Sequence, residues 1–416
     1  MILERTGTIL FKNEGVDITI PKCHRCGNGR REHFYTYRSP LHEKEVSYCL
    51  KCVNLGRADT MTPLYCSTSV DRCDSAGYIL DFELTEQQVY ASARIIGALE
   101  GRHHLLLYAV TGAGKTEMTF AAVSRARQNG MNVAFVSPRI DVVKEVYIRL
   151  ERAFSGSAIS LMYDGVKQVR GHHFVVCTIH QLYNYIDHFD FVIVDETDAF
   201  PLPEDPLLMQ SISRACREGA SIIYMSATPS RKLIRRVGKE NVVILPERYH
   251  GYKLAIPNIR YIDVGKGVYR NRVPAVCIKE LEGVLNAGRK VMVFFPDIAL
   301  MKKMHQLMQR EFPTIETVYS ADPDRDGKVA RMRAGETDIL FTTTILERGV
   351  TFDRLDIIII HAERFSKESL VQMCGRVGRK RTDPIGNICF MAAYRTSSIT
   401  AAQKMLKSFN AGSIKI

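Results

Sequence analysis

The sequence predicts an α/β protein in which two parallel-sheet lobes stand in tandem behind a small four-cysteine module. Three observations carry this. Short apolar β-rich runs alternate with amphipathic helical stretches from about residue 83, and the alternation stops near 247–258 and then restarts. The region before residue 80 holds six of the eleven cysteines, many turn formers and few long apolar runs. The expected divisions are 1–82, 83–252 and 253–416.

In the first region Cys23-x2-Cys26-x22-Cys49-x2-Cys52 has the two-knuckle spacing of a four-thiolate zinc site. Each CxxC turn presents two thiolates, and two turns complete a tetrahedron. A redox pair is the competing reading of the same spacing. Cys66 and Cys73 fit no compact knuckle and are read as non-ligands. A module with little apolar core draws much of its folding energy from such a metal.

The first lobe begins with "LTEQQ" (84–88), where Gln88 lies 27 positions before Lys115 and is a candidate reader of the adenine edge. An ordinary surface glutamine is the competing reading. "HLLLYAV" (104–110), "NVAFVS" (132–137), "HFVVCT" (173–178), "FVIVD" (191–195) and "SIIYMSA" (221–227) read as strands buried on both faces. "TGAGKT" (111–116) follows the first of them and opens a helix, which is the context of a phosphate loop. Thr111, Gly112, Ala113 and Gly114 would turn their N–H groups toward phosphates, Lys115 would meet the β/γ-phosphates of ATP, and Thr116 would hold Mg²⁺. Ala109 stands where the strict pattern has its first glycine. Asp195, at the end of "FVIVD", would share the Mg²⁺, and Glu196 would orient and deprotonate the attacking water. Ser226 and Thr228 of "MSATPS" are expected either to bond the acidic loop or to cap the next helix.

After a linker at "ERYHGYKLAIPN" (247–258), "IRYIDV", "KVMVFF", "ETVYS", "ILFTTT", "LDIIIIH" and "GNICFMAA" form the second strand series. "TTTILERGVTF" (342–352) sets Arg348 at a turn after a strand, where it could touch both nucleic-acid phosphates and the nucleotide, and a plain Arg-Gly loop between strands is the competing reading. "LVQMCGRVGRK" (370–380) carries Arg376 and Arg379 three apart, so a helix would point both the same way as arginine fingers toward the γ-phosphate. A solvated basic face is the alternative.

Composition narrows the partners. Fifty-seven Lys and Arg against forty-five Asp and Glu give a net charge of +12, which favours a polyanion. No apolar run reaches the ~18–20 residues that span a bilayer. The N-terminus lacks a secretory h-region, and eleven cysteines without one point to the reducing cytoplasm.

The motifs "LTEQQ", "TGAGKT", "SPR" (137–139), "DETD", "SAT", "TTTILERGVTF" and "QMCGRVGR", in this order over about 83–395, resemble superfamily 2 DEAD/DEAH-type helicases. That resemblance implies two RecA-like lobes and an ATP-driven motor on nucleic acid. With the cysteine pairs in front, the chain is similar to the ComFA family of competence DNA-uptake ATPases. This implies a single-stranded-DNA-dependent ATPase and translocase, cytoplasmic and peripheral at the inner membrane face. Its expected partners are a membrane DNA channel and other competence proteins, and self-association as a homo-oligomer is open. Two other readings compete: a replication-restart or repair helicase resembling PriA or RecG, and a nucleotide-switched assembly adaptor without turnover.

Overall fold

A computed structural model describes residues 9–67 and 77–414. Cys73 lies outside the described residues. The chain divides into two compact units, one of Met1–Tyr108 with Lys115–Val243 and one of Ala109–Gly114 with Ile244–Ile416.

The first unit is built on an eight-stranded sheet. Its order is Val166–Gln168, Ser160–Tyr163, Phe174–Thr178, Val133–Ser137, Phe189–Val194, Cys216–Ser226, Leu105–Ala109, Val242–Leu245. The central pairings are parallel, with Val192 beside Ala134 and Ile222. Leu105–Ala109, Val133–Ser137 and Phe174–Thr178 are buried along their whole lengths, as strands covered on both faces must be. Each of the five strands read from the sequence is present. The strands Ser160–Tyr163, Val166–Gln168 and Val242–Leu245 were not read from it, because they are only three or four residues long.

The cysteine module consists of short antiparallel pairs, among them the hairpin Phe34–Arg38 with Glu45–Cys49. It packs directly on the first lobe. Cys23, Cys26, Cys49 and Cys52 belong to the same hydrophobic cluster as Leu182, Tyr183 and Leu208 of the lobe. Lys51 pairs with Asp205 at 3.4 Å. Arg214 Nη2 donates to the His24 carbonyl at 2.5 Å. A groove of about 580 Å³ runs between the first knuckle and the segment after Asp198, lined by Asn28, Arg30, His33, Lys51, Phe200 and Asp205 among others.

The second unit holds a six-stranded parallel sheet ordered Asn258–Tyr261, Ile388–Ala392, Leu355–Ile360, Lys290–Phe294, Ile339–Thr342, Glu316–Val318. These are the six strands expected from the sequence. Arg289 crosses the base of this sheet, bonding Asp356 at 2.7 Å and Asp383 at 2.9 Å. Residues 247–257 have no helix or strand, yet Arg248 among them is only 4% exposed.

Candidate functional site

The phosphate loop follows the buried strand Leu105–Ala109. Gly112 and Gly114 sit at φ +82° and +75°, a region that L side chains enter only at a cost, so glycine is required at both. The helix after it starts as a 3-10 turn, Glu117–Thr119, and becomes α-helical over Phe120–Gln128. Thr119 fixes the start by donating both its N–H and its hydroxyl to the Thr116 carbonyl, at 3.1 and 2.6 Å.

Asp195 follows the strand Phe189–Val194, which is separated from Leu105–Ala109 in the sheet by Cys216–Ser226. Burial pushes its carboxyl up to about 6; the neighbouring Glu196 charge adds to this, and the Lys115 ammonium opposes it. The Thr116 hydroxyl and the Asp195 carboxylate, both buried, are oxygen donors of the kind Mg²⁺ takes, so the residues fit Mg²⁺. Glu196 has φ +53°, left-handed backbone for a side-chain-bearing residue. Three bonds hold it there. Its N–H donates to Asp195 Oδ1 at 2.8 Å, its carbonyl accepts from Ala199 N at 2.8 Å, and Thr197 N donates to the Met225 carbonyl at 3.2 Å. Backbone held in this region by its surroundings is strain of the kind that clusters at functional sites.

The acidic loop is tied to the next strand end. Ser226 Oγ donates to Asp198 Oδ1 and Thr228 Oγ1 to Asp198 Oδ2, both at 2.7 Å. The choice left open by the sequence is thereby settled, because the helix Arg231–Val237 is capped instead by Ser230. Asp198 was not singled out from sequence as their partner.

Gln88 is 3% exposed, so it is not a surface glutamine. Its Oε1 accepts from Thr85 N at 2.9 Å, and Thr85 Oγ1 accepts from Gln88 N, a capping box at the start of Glu86–Glu100.

In the second unit the helix expected to carry both arginines ends early. Lys367–Cys374 stops at Gly375, and Gly378 turns at φ +62°, so Arg376 and Arg379 lie in a turn rather than on a helix face. They nevertheless reach one target. Arg376 Nε donates to the Glu347 carbonyl at 2.8 Å and its Nη1 to the Val350 carbonyl at 2.6 Å, while Arg379 Nη1 donates to Thr351 Oγ1 at 2.9 Å. The two second-lobe motifs therefore form one network. Arg348 is 3% exposed and lies 3.5 Å from Glu347.

Arg248 braces this turn and was missed in the sequence. Its Nη1 donates to the carbonyls of Val377 and Gly378 at 2.7 and 2.6 Å, and its Nη2 to that of Gly375 at 3.2 Å. Burial, then the Arg379 charge, lowers its guanidinium to about 10. An arginine in a segment without regular structure gives no periodic signal, and its acceptors lie some 130 residues further on.

The four cysteines converge as expected. Their sulfurs all lie within 4.8 Å of one another, with Cys23–Cys52 at 3.5 Å and Cys26–Cys49 at 3.7 Å. A tetrahedron with Zn–S of about 2.3 Å has edges near 3.8 Å, so the cluster fits zinc. Hydrogen bonding from Cys26 favours the Cys23 thiolate, and hydrogen bonding with Cys23 holds the Cys52 thiol far above its ordinary value. Cys66 is buried outside this group.

Family models match three segments: the ComFA N-terminal domain over 4–66, the res subunit of type III restriction enzymes over 81–231, and the helicase conserved C-terminal domain over 274–381. Competence protein ComFA of Bacillus subtilis is 33% identical over 405 residues, covering 95% of this chain and 87% of its own. Competence protein ComFA of Streptococcus pneumoniae is 33% identical over 395 residues, covering 93% and 90%. Among solved structures, the Mycobacterium smegmatis helicase Lhr bound to ssDNA and AMP-PNP superposes with a TM-score of 0.60 at 16% identity, covering 80% of this chain and 50% of that one. The phosphate loop, the acidic loop and the buried cysteine cluster thus lie in an ATP-hydrolysing, helicase-like enzyme, and the chain belongs to the ComFA family of competence proteins.

Proposed function

We propose that the chain is a single-stranded-DNA-dependent ATP motor that draws transforming DNA into the cytoplasm. The observation that carries this is the pair of bonds from Ser226 and Thr228 to Asp198, which join the acidic loop to the strand end beside it. A nucleotide site that only bound ATP would need no such link, whereas a motor must transmit what happens at Asp195 and Glu196.

In this reading Thr111, Gly112, Ala113, Gly114, Lys115 and Thr116 bind the phosphates, and Gln88 faces the adenine. Thr116 and Asp195 would hold Mg²⁺, which neutralises charge on the phosphates. Glu196 takes the proton of the attacking water. Arg376 and Arg379 stabilise charge on the γ-phosphoryl once they exchange their present carbonyl and hydroxyl acceptors for it. The functional divisions are 1–82, 83–252 and 253–416. Cys23, Cys26, Cys49 and Cys52 hold zinc as a structural site. Strand contact is mainly through phosphates, which suits the +12 charge. Among the described residues no helix is long and apolar enough to cross a membrane, so attachment to a membrane DNA channel would run through partner proteins.

The test is the ATPase rate against added single-stranded DNA, duplex DNA and RNA. Strong stimulation by single-stranded DNA alone is expected. A rate indifferent to nucleic acid overturns the motor reading.

A further inference from the structure

The hairpin of the cysteine module presents aromatic side chains that neither zinc binding nor the ATP site uses. Tyr35 and Tyr37 alternate along the strand Phe34–Arg38, so both lie on one face, and Tyr48 stands directly opposite Tyr35 in the antiparallel register. The ring centroids of Tyr35 and Tyr48 are 5.6 Å apart, and those of Tyr37 and Tyr48 are 6.2 Å apart. The guanidinium of Arg57 lies over this group, 5.4 Å from the Tyr37 ring and 5.6 Å from that of Tyr48. Its Nη1 donates to the Tyr37 hydroxyl at 2.7 Å and its Nε to Asp59 at 2.6 Å. The group is thus held rigidly, yet Tyr35 keeps 54% of its surface in solvent.

We propose that this face is a stacking platform for single-stranded DNA. The inference rests on the motor reading above and adds a second contact with the strand, outside the ATP lobes. Three features favour that ligand. Aromatic rings with an arginine among them are the chemistry that binds unpaired bases without regard to sequence. Tyr35 and Tyr37 are two residues apart, about 6.8 Å along the strand, or twice the base rise of about 3.4 Å. The charge nearby also suits phosphates. Exposed Lys44 lies at the hairpin tip and Arg57 covers the rings, while Asp59, which pairs with Arg57, is 2% exposed. Glu45 opposes Arg38 in register, on the other face of the hairpin, and Glu43 lies at the tip.

The experiment exploits the absence of tryptophan from the whole sequence. In the full-length Tyr35→Trp chain all indole fluorescence reports from this face. Oligothymidylate of about twenty nucleotides, enough to cover more than one strand site, is titrated while anisotropy of labelled DNA follows binding. Expected results are quenching of the indole in step with binding, no quenching by a duplex of equal length, and about fivefold weaker binding by Tyr35→Ala with near-normal binding by Tyr35→Phe. Binding without quenching, or equal quenching by the duplex, overturns the platform and leaves the motor reading standing. Failure of the unmodified chain to bind oligothymidylate overturns both. Unchanged affinity in Tyr35→Ala, with loss of transformation in cells, overturns it too and assigns the face to a protein partner.

Discussion

Replacing Asp198 by alanine removes the acceptor of two hydroxyl donors at once. Ser226 is 1% exposed and Thr228 is 4% exposed, so water replaces that acceptor poorly. A hydrogen bond to an ionised carboxylate contributes about 1.5 kcal/mol at the low end, and two of them about 3 kcal/mol. That energy should appear locally, as easier opening of the acidic loop, because the bonds join that loop to one strand end. The amides of Thr197 and Ala199, bonded to Met225 and Glu196, report on it. Hydrogen exchange at these two should speed up about 150-fold, the equivalent of about 3 kcal/mol, with the sheet interior unchanged. Ser226→Ala breaks one bond to Asp198 and also removes the acceptor of Thr228 N. The Asp198→Ala, Ser226→Ala double variant should therefore fall short of the summed single effects by about 1.5 kcal/mol. Exchange at Thr197 and Ala199 within twofold of the unmodified chain, or strict additivity, refutes the link. Thr228→Ala should lower strand displacement more than ATP turnover, measured side by side.

Glu196→Gln keeps the shape of the side chain but not the base, so ATP should still bind while turnover falls at least about 100-fold in a steady-state assay. Arg248→Ala leaves three carbonyls of the Gly375–Gly378 turn without their donor, and should destabilise the second unit by about 3 kcal/mol in calorimetry. Arg248→Lys should recover less than half, since an ammonium lacks the planar fork. One zinc per chain is expected by metal analysis, and Cys52→Ser should release it and lower the first unit's melting temperature while ATP affinity changes less than about threefold.

What the sequence made legible was the chemistry that is local in it. Strands buried on both faces read as continuous apolar runs, and the phosphate loop, "DETD" and the CxxC pairs each keep their residues within a few positions. Misreadings came where geometry depends on a distant or unpatterned partner. Arg376 and Arg379 were placed on a helix by their spacing alone, but Gly375 ends that helix and Gly378 turns the chain. The burial of Arg348 left no signal in the sequence, because it is a property of the folded loop. For Gln88 two readings stood open in the sequence, and its burial, a property of the fold, removes the surface one. The left-handed Glu196 has no signal at all in residue type, since glutamate is not a residue that favours φ > 0.

The packing of the cysteine cluster alters what that cluster is for. Read from the sequence, it was a small zinc-site module in front of the lobes, because CxxC spacing says how a knuckle closes and nothing about what it leans on. In the structure Lys51 reaches Asp205, the N-cap of the helix Pro206–Ala215, and Arg214 near the other end of that helix reaches back to His24. Both ends of one helix are therefore held by the module. That helix is the connection from the acidic loop to Cys216–Ser226, the strand whose end supplies Ser226 to Asp198. A metal that stiffens the knuckles then also limits how far the acidic loop and its partner strand can separate. On the proposed reading, the clip would then be a brace on the part of the enzyme that links the acidic loop to its partner strand, with Tyr35 of its hairpin exposed to solvent.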